Sequence, residues 1–454
     1  MTPPNIVYIH SHDTGRYIQP YGYAVATPNL QRFAEQGVLF RQAFCVAPTC
    51  SPSRAALLTG SYPHTNGMVG LAHRGSRLVD YSQHLAHFLS RHGYATALSG
   101  VQHEASSAER QLLGYARYLD DQPMPEIADK QEAVARRAGD YLAQVGRQPF
   151  FLSCGFTATH RLGSVFNDPQ QVLGDSRYVR PPAPLPDMPE TRRDFADFRV
   201  AASRLDSYIG MVLDALDAQH LTENTLVICT TDHGIAFPQM KCNLTDHGLG
   251  VMLMLRGPGG FTGGTVVDAM TSHLDLFPTI CEVTGMLKPD WLQGTSLCPL
   301  AQGTADAIHD ELFAEINYHA APEPTRAIRT TRYKYIRRYA ARRTPILANC
   351  DGGLSKEALL RAGWQDHALP EEALYDLIFD PNEACNLAGD PAYHDTLLHM
   401  RTRLADWMQR TDDPLLTGRV PIWPGMVLNS DEDLSTEAPV HPAESLLGPA
   451  EYFS

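Results

Sequence analysis

Short, nearly continuous apolar runs alternate with amphipathic helical patterns through the first two thirds of the chain. Residues 5–9 (Asn-Ile-Val-Tyr-Ile) read as a buried strand, 29–36 as a short helix closed by Gly37, and 39–44 as a second strand. Residues 82–92 form an amphipathic pattern ending at Gly93, followed by a strand over 94–99. A helix over 130–144 precedes a strand over 149–155, and a long helix over 192–216 precedes a strand over 225–231. A strand over 251–255 and a helix over 274–284, stopped by Gly285, complete the series. This alternation predicts an α/β fold: a large mixed, mostly parallel sheet with helices on both faces. In such open sheets, sites form at the carboxyl ends of strands.

After about residue 305 the texture changes. Residues 311–316, 326–330, 333–336 and 375–378 look like short antiparallel strands, and 393–410 like one long helix. The expected organisation is a catalytic domain over 1–305 and a smaller C-terminal α+β subdomain with an antiparallel sheet over 306–418. Residues 419–454, rich in Pro, Glu and Ser, are expected to form an extended arm or to be partly disordered. Such an arm is also able to embrace a second subunit, which leaves a homo-oligomer open.

Composition adds exclusions. Hydrophobic residues make up 43% and charged residues 19%, as in a soluble globular protein. No run of 18 apolar residues occurs, so no transmembrane helix and no membrane partner are expected. The N-terminus shows no basic region followed by an apolar stretch, which leads to the expectation of a cytoplasmic protein. Lys and Arg number 37 against 51 Asp and Glu, a formal net charge of −14. That balance argues against nucleic acid as a partner. It also means that an anionic substrate needs local cations or a metal. The 9 cysteines are scattered without a CxxC spacing, so neither a disulfide framework nor a structural zinc site is expected.

One cysteine stands out. Cys50-Ser51-Pro52-Ser53-Arg54 is followed by Ala, Leu and then Leu58-Thr59-Gly60. Ser51 reads as an N-cap with Pro52 at the first helical position, placing Cys50 just before the positive end of a helix, where anions are favoured. Arg54 is able to fold back to the same point. Taken alone, Cys50 is either a small buried hydrophobe or a thiolate activated by the helix end. Elsewhere, Asp13 follows the strand over 5–9, after His12. Asp232-His233-Gly234 follows the strand over 225–231. These acidic groups sit where the strand-end rule places a site.

The Cys50–Gly60 segment is similar to the signature of the sulfatase family, and the resemblance runs from Asn5 to about Pro414. His64-Thr65-Asn66-Gly67, His160-Arg161, Asp232-x-Gly234-Ile235 and Asp380-Pro381-Asn382-Glu383 extend it, leaning towards the heparan N-sulfatase branch. The resemblance implies an alkaline phosphatase-like fold. It implies that Cys50 is converted by a formylglycine-generating enzyme to formylglycine, whose hydrated aldehyde is the nucleophile. One hydroxyl of that diol attacks sulfur; deprotonation of the other expels sulfate and restores the aldehyde. It implies a divalent metal at His12, Asp13, Asp232, His233 and the Cys50-derived group, calcium first and Mn²⁺ as the rival. His12 departs from the usual Asp, and imidazole suits transition metals better than calcium; a loop histidine beside the site is the other reading. The resemblance further implies catalytic roles for Arg54, His103, His160 and Lys241. Val101 stands where the family has a lysine; Gln102, His12 or a group from the C-terminal subdomain are the expected substitutes. His319 and Arg326 are candidates to reach over the cleft and bind substrate.

The expected function is therefore hydrolysis of a sulfate ester or N-sulfate (sulfamate) on a sulfated small molecule or saccharide. Two alternatives stand beside it: a phosphonate or phosphate ester hydrolase of the same superfamily, and an inactive sulfatase-like binding protein.

Overall fold

The structure is a computed structural model that describes residues 3–122, 129–167, 172–448 and 452–453. Of the expected arm, residues 449–451 and 454 lie outside the described residues. An eight-stranded sheet runs in the order Thr265–Ser272, Val38–Phe44, Leu253–Arg256, Thr225–Thr231, Asn5–Ser11, Phe150–Phe156, Ala95–Gly100 and Arg117–Tyr118. Every neighbouring pair is parallel except those made by Leu253–Arg256, which is antiparallel to both of its neighbours.

The central strands are buried on both sides, which is why they read as continuous apolar runs rather than alternations. Ile6 and Tyr8 join one core with the helices Cys50–Thr59 and Leu276–Thr284. Val7 and Ile9 join the other with the helices Pro28–Gln36, Lys130–Gln144 and Pro189–Ala218.

The second sheet has four antiparallel strands: Glu311–Tyr318, Pro322–Thr330, Tyr333–Arg338 and Glu372–Asp376. Phe313, Ile328, Tyr335 and Leu374 pack against Leu397, Met400 and Trp407 of the helix His394–Arg410. Ala314, Ile316, Ala327 and Ile336 share the core of the large sheet. The smaller sheet is thus clamped between its own helix and the main body, which fixes its loops over the ends of the large sheet's strands.

Two local expectations are corrected, and one strand was missed. The helix expected over 82–92 is a 3₁₀ turn, Tyr81–Gln83, and a helix, Leu85–Arg91; His84 breaks them apart by capping the second, its ring accepting from Ala86 N–H. The edge strand Thr265–Ser272 was not foreseen; Thr265, Val266 and Asp268 are exposed, so it has no clean apolar run. Cys50 lies within the first turn of its helix, with Thr49 as the N-cap. Ser51 is not the cap because its hydroxyl accepts from Ala72 N–H at 3.0 Å. The described part of the arm lies against the body: Val420, Ile422, Met426 and Leu428 pack with Val69 and Tyr318, and Val427–Leu428 pairs with His441–Pro442.

Candidate active site

Sheet order brings the site together. Asn5–Ser11 and Thr225–Thr231 are parallel neighbours with Ser11 opposite Thr231, so His12-Asp13 and Asp232-His233 leave the sheet side by side. Phe150–Phe156 and then Ala95–Gly100 follow, and the loops after them carry His160 and His103. Four adjacent strand ends thus supply His103, His160, His12, Asp13, Asp232 and His233 in a row.

Asp13 has a left-handed backbone (φ 53°), a conformation Asp tolerates better than most residues. The turn aims its N–H at Asp232 Oδ1, 2.9 Å away. Asp232 Oδ1 also accepts from His233 N–H at 2.9 Å, and Oδ2 from Arg54 Nη2 at 3.0 Å. Arg54 completes its fork on Ser11 O at 2.8 Å, while Ser53 Oγ donates to Asp232 O at 2.6 Å. The Cys50 helix therefore holds Asp232 through two residues of its first turns, Arg54 on the carboxylate and Ser53 on the backbone carbonyl. Gly234 is needed beside it: a Cβ there would lie 2.1 Å from His247 O.

Cys50 is buried, its Sγ 3.5 Å from His233 Nε2. Among the protein's own groups, burial pushes the Cys50 thiol up, against the pull of Lys241. An unmodified thiolate is therefore not what this pocket favours. Lys241 is buried between Asp13 Oδ2 at 3.1 Å and Asp351 Oδ2 at 3.0 Å. Burial works against its charge, but Asp13 and Asp351 outweigh burial and hold Lys241 protonated. For Asp351, burial acts to raise its value, but Lys241, His160 and His319 hold it below the usual carboxylate range.

Ligand atoms of His12, Asp13, Cys50 and Asp232 all lie within 4.8 Å of one another. His12 Nδ1 comes within 3.2 Å of Asp232 Oδ2, yet neither ring nitrogen of His12, nor Asp13 Oδ1, makes an aligned hydrogen bond among the described residues. Buried polar atoms are rarely left so. Burial, then Arg54, hold the His12 imidazole well below its ordinary value, so it is neutral with a lone pair to give. Two carboxylates, a neutral imidazole and three orphaned atoms fit a divalent cation.

Cys50 connects this cluster to a cavity of about 370 Å³. His103, His160, Lys241 and His319 all line it with Cys50. His103 and His12 stack edge to face, with centroids 4.6 Å apart; His160 Nε2 lies 3.9 Å from Asp13 Oδ2. Burial, then Arg54, keep His103 neutral. Arg326 is the residue the structure removes from this group. It is buried in the smaller sheet, with Nε and Nη2 on Asp413 at 2.5 and 2.9 Å and Nη1 on Asn317 Oδ1 at 2.8 Å. Its guanidinium is consumed before it reaches the cavity. Gln102 is likewise consumed: its Oε1 accepts from Glu104 and Ala105 N–H.

Several cavity groups were missed in the sequence. Asp351 comes from a Cys-Asp-Gly-Gly loop of the subdomain, where Gly352-Gly353 signal a turn but nothing signals Lys241. His73 and Arg74 follow the Cys50 helix, and Ser435, Thr436 and Glu437 come from the arm.

Comparisons with known proteins agree with this geometry. Human N-sulphoglucosamine sulphohydrolase is 28% identical over 91% of this chain and 91% of its own length. An ulvan-active sulfatase of Formosa agariphila is 27% identical over 90% of this chain and 75% of its own. Among solved structures, a 2-O GAG sulfatase superposes with a TM-score of 0.70 at 23% identity, covering 96% of this chain and 99% of that one. A second, solved with its substrate D-glucosamine-2-N,6-O-disulfate, gives 0.69 at 18% identity, covering 91% and 99%. The model of the N-sulphoglucosamine sulphohydrolase C-terminal region matches residues 240–348. The sulfatase model matches residues 4–286, more than half of the chain, and the chain belongs to the sulfatase family of sulfuric ester hydrolases.

Proposed function

We propose that this sulfatase releases sulfate from a saccharide, as an O-sulfate or an N-sulfate, through a formylglycine made from Cys50 by a formylglycine-generating enzyme. The observation that carries the reading is the buried cluster beside Cys50, with both His12 ring nitrogens and Asp13 Oδ1 left without aligned hydrogen bonds among the described residues. His12, Asp13, Asp232 and His233 would hold a divalent cation. When bound, that cation supplies Lewis acidity towards a sulfate oxygen.

The chain's own groups divide the remaining work. Arg54 fixes the Asp232 carboxylate. Lys241, protonated and aimed into the cavity, binds a sulfate oxygen. His103, neutral, accepts a proton at the nucleophile side. His160, with its side chain 24% exposed at the cavity wall, delivers one to the leaving oxygen or nitrogen. His319 reaches the same cavity from the smaller sheet and contacts the sugar.

The resemblance implies calcium; the imidazole donor of His12 favours Mn²⁺. Metal analysis of the purified protein separates the two. An N-sulfated amino sugar is supported by the human relative and by the C-terminal match. The test is sulfate release from glucosamine N-sulfate and glucosamine 6-O-sulfate, with a phosphate monoester of the same sugar as control. Sulfate release with phosphate at least ~100-fold slower is expected. Faster phosphate release would overturn the reading in favour of a phosphoester hydrolase.

A further inference from the structure

The arm, residues 419–448, is fastened to the body by a set of side-chain hydrogen bonds. Trp423 Nε1 donates to Gly67 O at 2.9 Å, Tyr318 OH to Val420 O at 2.7 Å, and Asn429 N–H to Ala320 O, beside His319, at 2.8 Å. The stretch 434–438 is held most firmly. Buried Lys356 donates to Leu434 O at 2.8 Å, buried Arg74 to Thr436 O at 3.1 Å, and Asn429 Nδ2 to Ala438 O at 2.9 Å. Arg74 also holds Asn429 Oδ1 at 2.7 Å and Ala320 O at 3.1 Å. Three carbonyls within five residues are therefore pinned by side chains from three separate parts of the chain.

What this stretch presents to the cavity is Ser435, Thr436 and Glu437. Glu437 Oε1 faces the loop at Gly163, where an added Cβ would lie 3.5 Å away. Of the cavity's other charges, Lys241 pairs with Asp13 and Asp351 and Arg161 with Asp194 at 2.9 Å, while Arg74 is spent on the uncharged acceptors of the arm and of Ala320. Glu437 makes no ion pair among the described residues. A substrate whose sulfate lies at Cys50 and Lys241 would set its ring against this carboxylate. A hydroxyl or ammonium there can donate to it. A second sulfate or a carboxylate there meets a like charge, a repulsion that is strongest at low salt.

We infer that the arm is a preformed specificity wall, with Glu437 selecting sugars that carry one anionic group and rejecting those with a second on the facing side. This rests on the saccharide sulfatase reading above.

The test separates the two. Binding of glucosamine N-sulfate and of glucosamine 2-N,6-O-disulfate is measured to the Cys50→Ala protein, with and without Glu437→Gln or Glu437→Lys. Binding needs no turnover, so it reads the wall alone; hydrolysis by the unmutated enzyme reads the reaction. At low salt the parent is expected to favour the monosulfated sugar by about fivefold, the ratio shrinking at high salt. Glu437→Gln should bring the ratio near one, and Glu437→Lys should reverse it. Glu437 is exposed, so the variants are expected to fold. A Kd ratio in Glu437→Lys within twofold of the parent, or equal binding of both sugars by the parent, overturns the inference.

Discussion

Two buried clusters in this chain combine histidine, two carboxylates and arginine: His12, Asp13 and Asp232 with Arg54, and His64, Glu315 and Asp413 with Arg326. Both are removed from water. In the second, His64 N–H and Nδ1 reach Glu315 at 2.8 and 2.7 Å, Arg326 forks onto Asp413, and one ring nitrogen, His64 Nε2, is left over. It ties the segment after the Cys50 helix to the smaller sheet and to the turn after the helix His394–Arg410. In the first, four atoms are left over, Arg54 Nε among them, and a second cation, Lys241, faces Asp13. The same residue types serve as fastening where nearly all their bonds are made, and form the candidate site where several bonds are withheld beside Cys50 and its cavity.

That contrast is open to breaking, and the largest effect belongs to the first cluster. Cys50→Ala should lower kcat by about 10⁴-fold or more while thermal stability holds. Turnover retained in this variant would remove Cys50 as the nucleophile. Asp13→Asn should lose bound metal and activity together, read by elemental analysis beside sulfate release. Unchanged metal content would mean the orphaned atoms are not a cation site.

The second cluster should respond in the opposite way. Arg326→Met leaves Glu315 and Asp413 buried without their cation, and urea unfolding should show a loss of about 3–5 kcal/mol. Activity per folded molecule should change little. A raised KM with stability intact would restore Arg326 as a substrate contact.

The smallest effect concerns a histidine in neither cluster. Burial holds His84 at about 3, below its ordinary 6.5. The unfolded chain therefore takes up a proton as pH falls below about 6.5 and the folded state does not, so stability is lost on acidification, down to about pH 3. His84→Asn keeps a helix cap and removes that uptake. The stability gap between parent and variant should move by about 2 kcal/mol against the parent between pH 7 and pH 4.5. A gap independent of pH would show that His84 does not titrate as placed.

Much of this was legible in the chain because it is local. The strands over 225–231 and 5–9 are fully buried runs, and their polar ends carry Asp232 and Asp13, so run and strand-end rule together pointed to the candidate site. The Cys50 segment is one contiguous motif. What was illegible depends on distant partners. Arg326 reads as a free cation until Asp413 and Glu315 are seen to hold it. Asp351 and Glu437 reach the cavity only because the smaller sheet and the arm are folded back over the strand ends. The edge strand Thr265–Ser272 lacks a buried face along its first half, so its pattern is that of a loop.

The most direct measurement is mass spectrometry of the peptide containing Cys50, taken from protein with measured turnover. The expected result is the mass of an aldehyde in place of the thiol, in a fraction that tracks specific activity across preparations. Full activity in protein whose Cys50 is entirely thiol would contradict the proposed chemistry.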